Sequence, residues 1–147
     1  MRIENYGLIG DLQTAALVGL DGSVDWLCLP RFDSAACFAA LLGDGGDGRW
    51  LLAPAGEVER VERRYREDTL VHELDFHCAG GSVRVIDFMP PRGTEPDLVR
   101  IVDVDDSAKV DAYGIVADVC AEFGDWKVQS DRGRELFNCC LDLRISQ

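Results

Sequence analysis

The sequence is short of the features that announce chemistry. No apolar run reaches the ~18 residues of a membrane span, and the opening Met1-Arg2-Ile3-Glu4-Asn5-Tyr6 lacks the apolar stretch of a secretion signal. There are only two histidines, His72 and His77, and no pair among the six cysteines has C-x-x-C spacing. Zinc and redox motifs are therefore excluded, and neither metal nor cofactor is expected. Free thiols packed as small hydrophobes are the default in a soluble cytoplasmic chain. Basic residues are also scarce, 15 against 27 acids for a net charge of -12. That balance excludes counterion-driven binding to nucleic acid. The local basic group Arg60, Arg63, Arg64 and Arg66 alternates with Glu57, Glu59, Glu62 and Glu67 and reads as a charge-mixed strand face. Nucleophile elbow, phosphate loop and zinc-protease signatures are all missing. The glycine-rich 43–48 has no lysine and reads as a loop.

What is present is a succession of short strands. The 147 residues, 47% of them apolar, suffice for one domain with a real core. Residues 14–20 and Ser23–Leu29 are joined at Asp21-Gly22, a pair that tolerates a tight turn. Pro30 closes the second strand, and Ser34 is placed to cap a short helix over 35–42. Strands then follow over 49–53, 57–66, 69–77, 83–89 and 97–104, separated by Gly, Pro and Asp turns. This is a mainly β fold, an antiparallel β-sandwich with one short helix. From 109 the apolar spacing changes to three- and four-residue steps: Val110, Tyr113, Val116, Val119, Cys120 and Phe123, then Leu136, Phe137, Cys140, Leu141 and Ile145. That stripe predicts a helical C-terminal tail, with the boundary between 1–104 and 105–147.

Carboxylates offer the only route to hydrolysis. Asp11, Asp25, Asp33 and Asp87 are suggestive, with competing roles as turn caps for Asp11 and Asp33 and as solvent-facing strand residues for Asp25 and Asp87. Trp26, Phe32 and Trp50 suit either core packing or stacking on a sugar. Arg31, Phe32 and Asp33, in the loop after Pro30, are the best candidates for a contact surface, with Trp26 behind them. No complete catalytic set emerges.

The motifs Tyr6-Gly7-Leu8-Ile9-Gly10-Asp11, Thr14-Ala15-Ala16-Leu17-Val18-Gly19, the run from Asp21 to Ser34, Cys37–Gly43, Leu52-Ala53-Pro54, Arg64-Tyr65-Arg66, Asp68-Thr69-Leu70 and Val85–Pro90 carry a resemblance. In this order they resemble the N-terminal region of bacterial glycoside hydrolase family 15, the glucoamylase and trehalase-like group. The resemblance implies a β-sandwich preceding an (α/α)6 barrel, and inverting hydrolysis of α-glucosidic bonds by two barrel glutamates about 6.5–9.5 Å apart. A chain of this length has no room for that barrel, so it is expected to be inactive alone. The expected partners are an α-glucoside, a second copy, or a barrel-containing chain, and neither nucleic acid nor membrane. A stand-alone carbohydrate-binding or self-associating module is the alternative. After about Asp103 the likeness fades. The family would place its acid glutamate just before Arg132-Gly133, where this chain has Ser130-Asp131. Either the chain is an internally deleted relative or its tail is unrelated.

Overall fold

The computed structural model describes residues 1–79, 81–105, 115–120, 126–131 and 134–140, with side chains to Asp103. The strands are β1 (Tyr6–Gly10), β2 (Ala15–Gly19), β3 (Ser23–Cys28), β4 (Ala36–Phe38), β5 (Arg49–Pro54), β6 (Val58–Tyr65), β7 (His72–Cys78), β8 (Gly81–Phe88), β9 (Asp97–Asp105), β10 (Ile115–Cys120), β11 (Trp126–Asp131) and β12 (Arg134–Cys140). They form two antiparallel sheets. Sheet A runs β1-β2-β3-β5-β10 with β4 beside β3, and sheet B runs β11-β12-β9-β8-β7-β6. The mainly β, antiparallel expectation therefore holds.

Two expectations do not. Residues 35–42 form no α-helix. Ala36–Phe38 is a strand on β3, with Phe38 opposite Leu27 and buried, followed by a single 3-10 turn over Ala40–Leu42. A run this short cannot repay helix nucleation, whereas pairing with β3 buries Phe38 at once. Ser34, expected as a cap, accepts a hydrogen bond from Arg31 N at 3.1 Å instead. The helical tail is likewise corrected wherever the chain is described. Ile115–Cys120 pairs with β5, and Arg134–Cys140 pairs with both β9 and β11. Open edges on β5 and β9 capture these segments, and Ile115, Val116 and Val119 are β-branched, which suits a pleat better than a helix. The rest of the predicted tail helices lies outside the described residues.

The alternation in sequence decides the core. Ile9, Ala16, Val18, Val24, Leu27, Trp50 and Leu52 of sheet A meet Leu74, Phe76, Val83, Val85, Leu98 and Val102 of sheet B. The opposite face of sheet B carries Glu73 and Asp75, which are clamped by Arg64, Arg66 and Arg84. Within the basic cluster, Arg60 pairs with the interleaved Glu62, whereas Arg64 and Arg66 pair with acids of β7 rather than with those beside them in sequence. At the edges, the Tyr65 hydroxyl of β6 donates to Leu8 O at 3.0 Å and accepts from Leu8 N at 2.8 Å. It thereby caps backbone groups of the outermost strand β1, which would otherwise template pairing with another chain.

Three polar residues cross the apolar core. His72, Asp87 and Arg100 stand in one row across β7, β8 and β9, and all are fully buried. Arg100 donates from Nε and Nη2 to Asp87 at 2.7 and 3.2 Å. It also donates from Nη1 to Trp50 O and from Nη2 to Gly22 O, both at 2.7 Å, which bolts sheet B to sheet A. Its guanidinium lies 5.1 Å from the centre of a Trp50 ring. Asp87, read from sequence as catalytic or solvent-facing, is thus a structural counter-ion.

His72 packs edge-on to Tyr65 and under Gly7, where an added Cβ would come within 2.4 Å of Nε2. Neither ring nitrogen has a partner among the described residues. Burial lowers its basicity, Asp87 opposes that, and Arg63 and Arg100 add to it, leaving the imidazole below its ordinary 6.5. The unfolded chain therefore takes up this proton first, so stability should fall as pH drops below about 6.5. The lowered carboxyls of Asp11, Glu73 and Asp75 add their loss only at more acid pH. Urea midpoints measured from pH 8 to 5 should show this slope, and His72→Phe should flatten it. A slope unchanged in that variant would assign the proton to another group.

Candidate functional site

Three loops meet at one end of the sheets: 11–14 between β1 and β2, 29–35 between β3 and β4, and 89–96 between β8 and β9. Asp11 organises the first. Its Oδ1 accepts from Gln13 N and Thr14 N at 2.9 and 2.8 Å, the local closure that short acids favour. Its Oδ2 takes Arg92 Nε at 2.7 Å, and Arg92 Nη2 lies 2.7 Å from the same oxygen. Burial alone would raise the Asp11 carboxyl, but the two backbone donors and Arg92 outweigh it and hold it below the usual range. Thr14 Oγ1 donates to Cys28 O at 2.5 Å, and Phe32 N donates to Gln13 O at 3.2 Å. The Leu29–Pro30 bond in the second loop is cis. The three loops are therefore one bonded unit.

This unit holds two apolar side chains out in solvent. Leu12 is 91% exposed and Phe32 64%. Leu12 adopts φ +74°, a left-handed conformation that costs a side-chain-bearing residue roughly 1–2 kcal/mol. Strain of this kind persists where the surroundings over-determine it, and it clusters at functional sites. Beside Phe32, Arg31 Nε donates to Asp33 Oδ1 at 3.0 Å, both exposed. Arg31 first, through its hydrogen bond, holds the Asp33 carboxyl below the usual range.

Of the contact residues named from sequence, the structure brings Arg31, Phe32 and Asp33 together at this end. Trp26 is half-buried within β3 opposite Leu17. Trp50 is core. Leu12 and Gln13 escaped the sequence reading, and only Asp11, read as a turn cap, marked a turn before them. Among the described residues no group of three His, Cys, Asp or Glu could hold a metal, and no helix is long and apolar enough to cross a membrane.

A family model described as "Trehalase-like, N-terminal" matches residues 1–135. The chain belongs to that family. Trehalase from Thermoplasma volcanium is 36% identical over 91 residues, covering 60% of this chain and 15% of that protein. Trehalase from Mycolicibacterium smegmatis is 39% identical over 85 residues, 58% of this chain and 13% of that protein. Trehalase 2 from Sulfolobus acidocaldarius is 30% identical over 99 residues, 67% and 16%. No solved structure gives a significant match. The trehalase-like N-terminal chain thus spans only about a seventh of the curated relatives it matches. The motif-rich stretch from Asp21 to Ser34 supplies both the turn that Arg100 holds and the loop that presents Phe32.

Proposed function

We propose that this chain is a non-catalytic β-sandwich domain of a trehalase- or glucoamylase-type glycosidase of family 15, acting by docking a catalytic α-helical barrel at the Leu12–Phe32 end. The supporting observation is that two apolar side chains are held in solvent by a bonded unit, one of them at a strained backbone angle. An apolar knob maintained against both exposure and strain is what a protein interface needs at its centre. Arg31 and Asp33 would form its polar rim. The free thiols of Cys28, Cys37 and Cys78 suit a reducing compartment, which supports action in the cytoplasm. Among the described residues no acid and base pair is assembled at this end, since Asp11 is committed to Arg92 and Asp33 to Arg31.

The test is complementation. The chain is co-expressed with the remainder of a relative's trehalase from which the matching N-terminal segment has been removed, and trehalose hydrolysis and co-purification are measured. The intact chain should restore activity, and Leu12→Asp with Phe32→Asp should lower association at least tenfold while the thermal midpoint is kept. Leu12→Gly should melt no lower than the parent, because it removes the strain, yet associate more weakly. Hydrolysis of trehalose by the purified chain alone, abolished by one carboxylate substitution, would overturn the non-catalytic reading.

A further inference from the structure

A bulge on β3 decides what sheet A shows on its outer face. Leu17 faces Trp26 and Val18 faces Val24, so Asp25 is the extra residue. A bulge re-aims side chains and here sets two successive ones on one side of the sheet. Ala16, Val18 and Val24 belong to the core, so Leu17, Asp25 and Trp26 share the face pointing away from it. Tyr6 lies on that face too, because its neighbour Gly7 abuts the buried His72. The Tyr6 hydroxyl donates to Asp25 Oδ2 at 2.6 Å. Asp25 is only 8% exposed, and its Oδ1 is buried without a partner among the described residues. Leaving a buried acceptor unsatisfied costs the desolvation of that group, and each such group in a native fold needs an explanation.

We propose that Tyr6, Asp25 and Trp26 form a binding site for a neutral sugar ring, with one hydroxyl donating to Asp25 Oδ1 and the ring's C–H face against the Trp26 indole. The chemistry selects this class of ligand. Anions are repelled by Asp25 and by Asp21 nearby. A metal ion would find too few ligands, because Asp21 Oδ1 already accepts from Ser23 N and Oγ at 3.1 and 2.6 Å. A sugar hydroxyl supplies the one thing missing, a donor, while the indole offers an apolar face with low entropy cost. Tyr6 completes the set. Burial first and Asp25 next push its phenol well above the ordinary range, so it stays protonated, gives its hydrogen to Asp25 and keeps lone pairs for a second hydroxyl. Oδ1 is closed to water in the unliganded fold, so a hydroxyl enters only as the neighbouring side chains shift. Trp26 emission is therefore the natural reporter. The site uses none of Leu12, Arg31, Phe32 or Asp33, and it stands whether or not that end docks a barrel.

The experiment titrates the intact chain with trehalose and with methyl α-glucoside, read by tryptophan emission and by calorimetry. Saturable binding of either sugar is expected. Trp26→Ala should abolish it, Tyr6→Phe should weaken it about tenfold and also lower the melting midpoint because Asp25 Oδ2 loses its donor, and Phe32→Ala should leave both binding and melting unaltered. Absence of heat and emission change to tens of millimolar sugar would overturn the proposal. So would affinity unchanged in Trp26→Ala, or a sugar-soaked crystal showing an ordered water only at Oδ1. A failed sugar titration leaves the complementation result untouched, so the two readings fall separately.

Discussion

Arg100→Ala should abolish the folded state near room temperature or come close to it. Truncating one partner of a buried ion pair costs about 3–5 kcal/mol, because the other charge is left in the core without compensation. Here the removed side chain also serves Gly22 O and Trp50 O across the two sheets. Gly22 O retains Leu52 N as a donor at 3.1 Å, so the added loss lies mainly in the contact of the guanidinium with the Trp50 ring and in the cavity it leaves. Small domains are stable by roughly 5–15 kcal/mol, so one substitution removes a large share of the total. Asp87→Ala should cost a similar amount, since it strands the guanidinium. The paired change Asp87→Ala with Arg100→Ala should cost clearly less than the sum of the two single changes, because neither charge then remains buried. Urea melts followed by circular dichroism give all four corners of the cycle. Single variants that lose under about 1 kcal/mol would show that the row His72–Asp87–Arg100 is not what joins the sheets.

That row also shows where sequence reading succeeds and where it stops. The strand over 69–77 and the turn at Asp21-Gly22 follow from period and turn chemistry, which are local, and the structure has a strand over His72–Cys78 and a turn at Gly22. Arg100 sits in the apolar run Val99-Arg100-Ile101-Val102, where a lone cation either faces solvent or finds a buried acid. Only the register that sets it opposite Asp87 decides between them, and register is a property of two strands rather than one. The same holds for the loop end. The exposed Arg31-Phe32-Asp33 group was legible from Pro30 and the loss of alternation. Leu12 was not, because its exposure depends on Arg92, 81 residues from Asp11 in sequence, closing on that acid. Within the described residues, the helical stripe after residue 109 gives way to strands for a related reason. Spacing at three and four residues is compatible with short β-branched strands, and the open edges of β5 and β9 settle the matter.

Gly22→Ala should cost more than about 3 kcal/mol for the addition of one methyl group. At φ +84° an alanine pays the left-handed penalty of roughly 1–2 kcal/mol, and its Cβ would stand 2.2 Å from Leu52 O and 3.2 Å from Phe76 Cζ. The first contact is with backbone, so no rotamer change relieves it. Backing away would stretch Gly22 N to Gly19 O and Leu52 N to Gly22 O, at 3.0 and 3.1 Å, and would pull the carbonyl from Arg100. Strain, collision and the cross-sheet bolt therefore meet at one Cα, and a loss of more than about 3 kcal/mol is expected, in the range reserved for such combined mechanisms. Gly93→Ala is the matched control. Nothing lies within 4 Å of its added Cβ, so that variant should be neutral or gain a few tenths of a kcal/mol from the stiffer unfolded chain. Thermal melts of the two alanine variants side by side separate packing at Gly22 from any general effect of losing a glycine. Equal midpoints would mean that the turn relaxes away from Leu52. The loop carrying Phe32 would then not depend on the Asp21-Gly22 turn for its position.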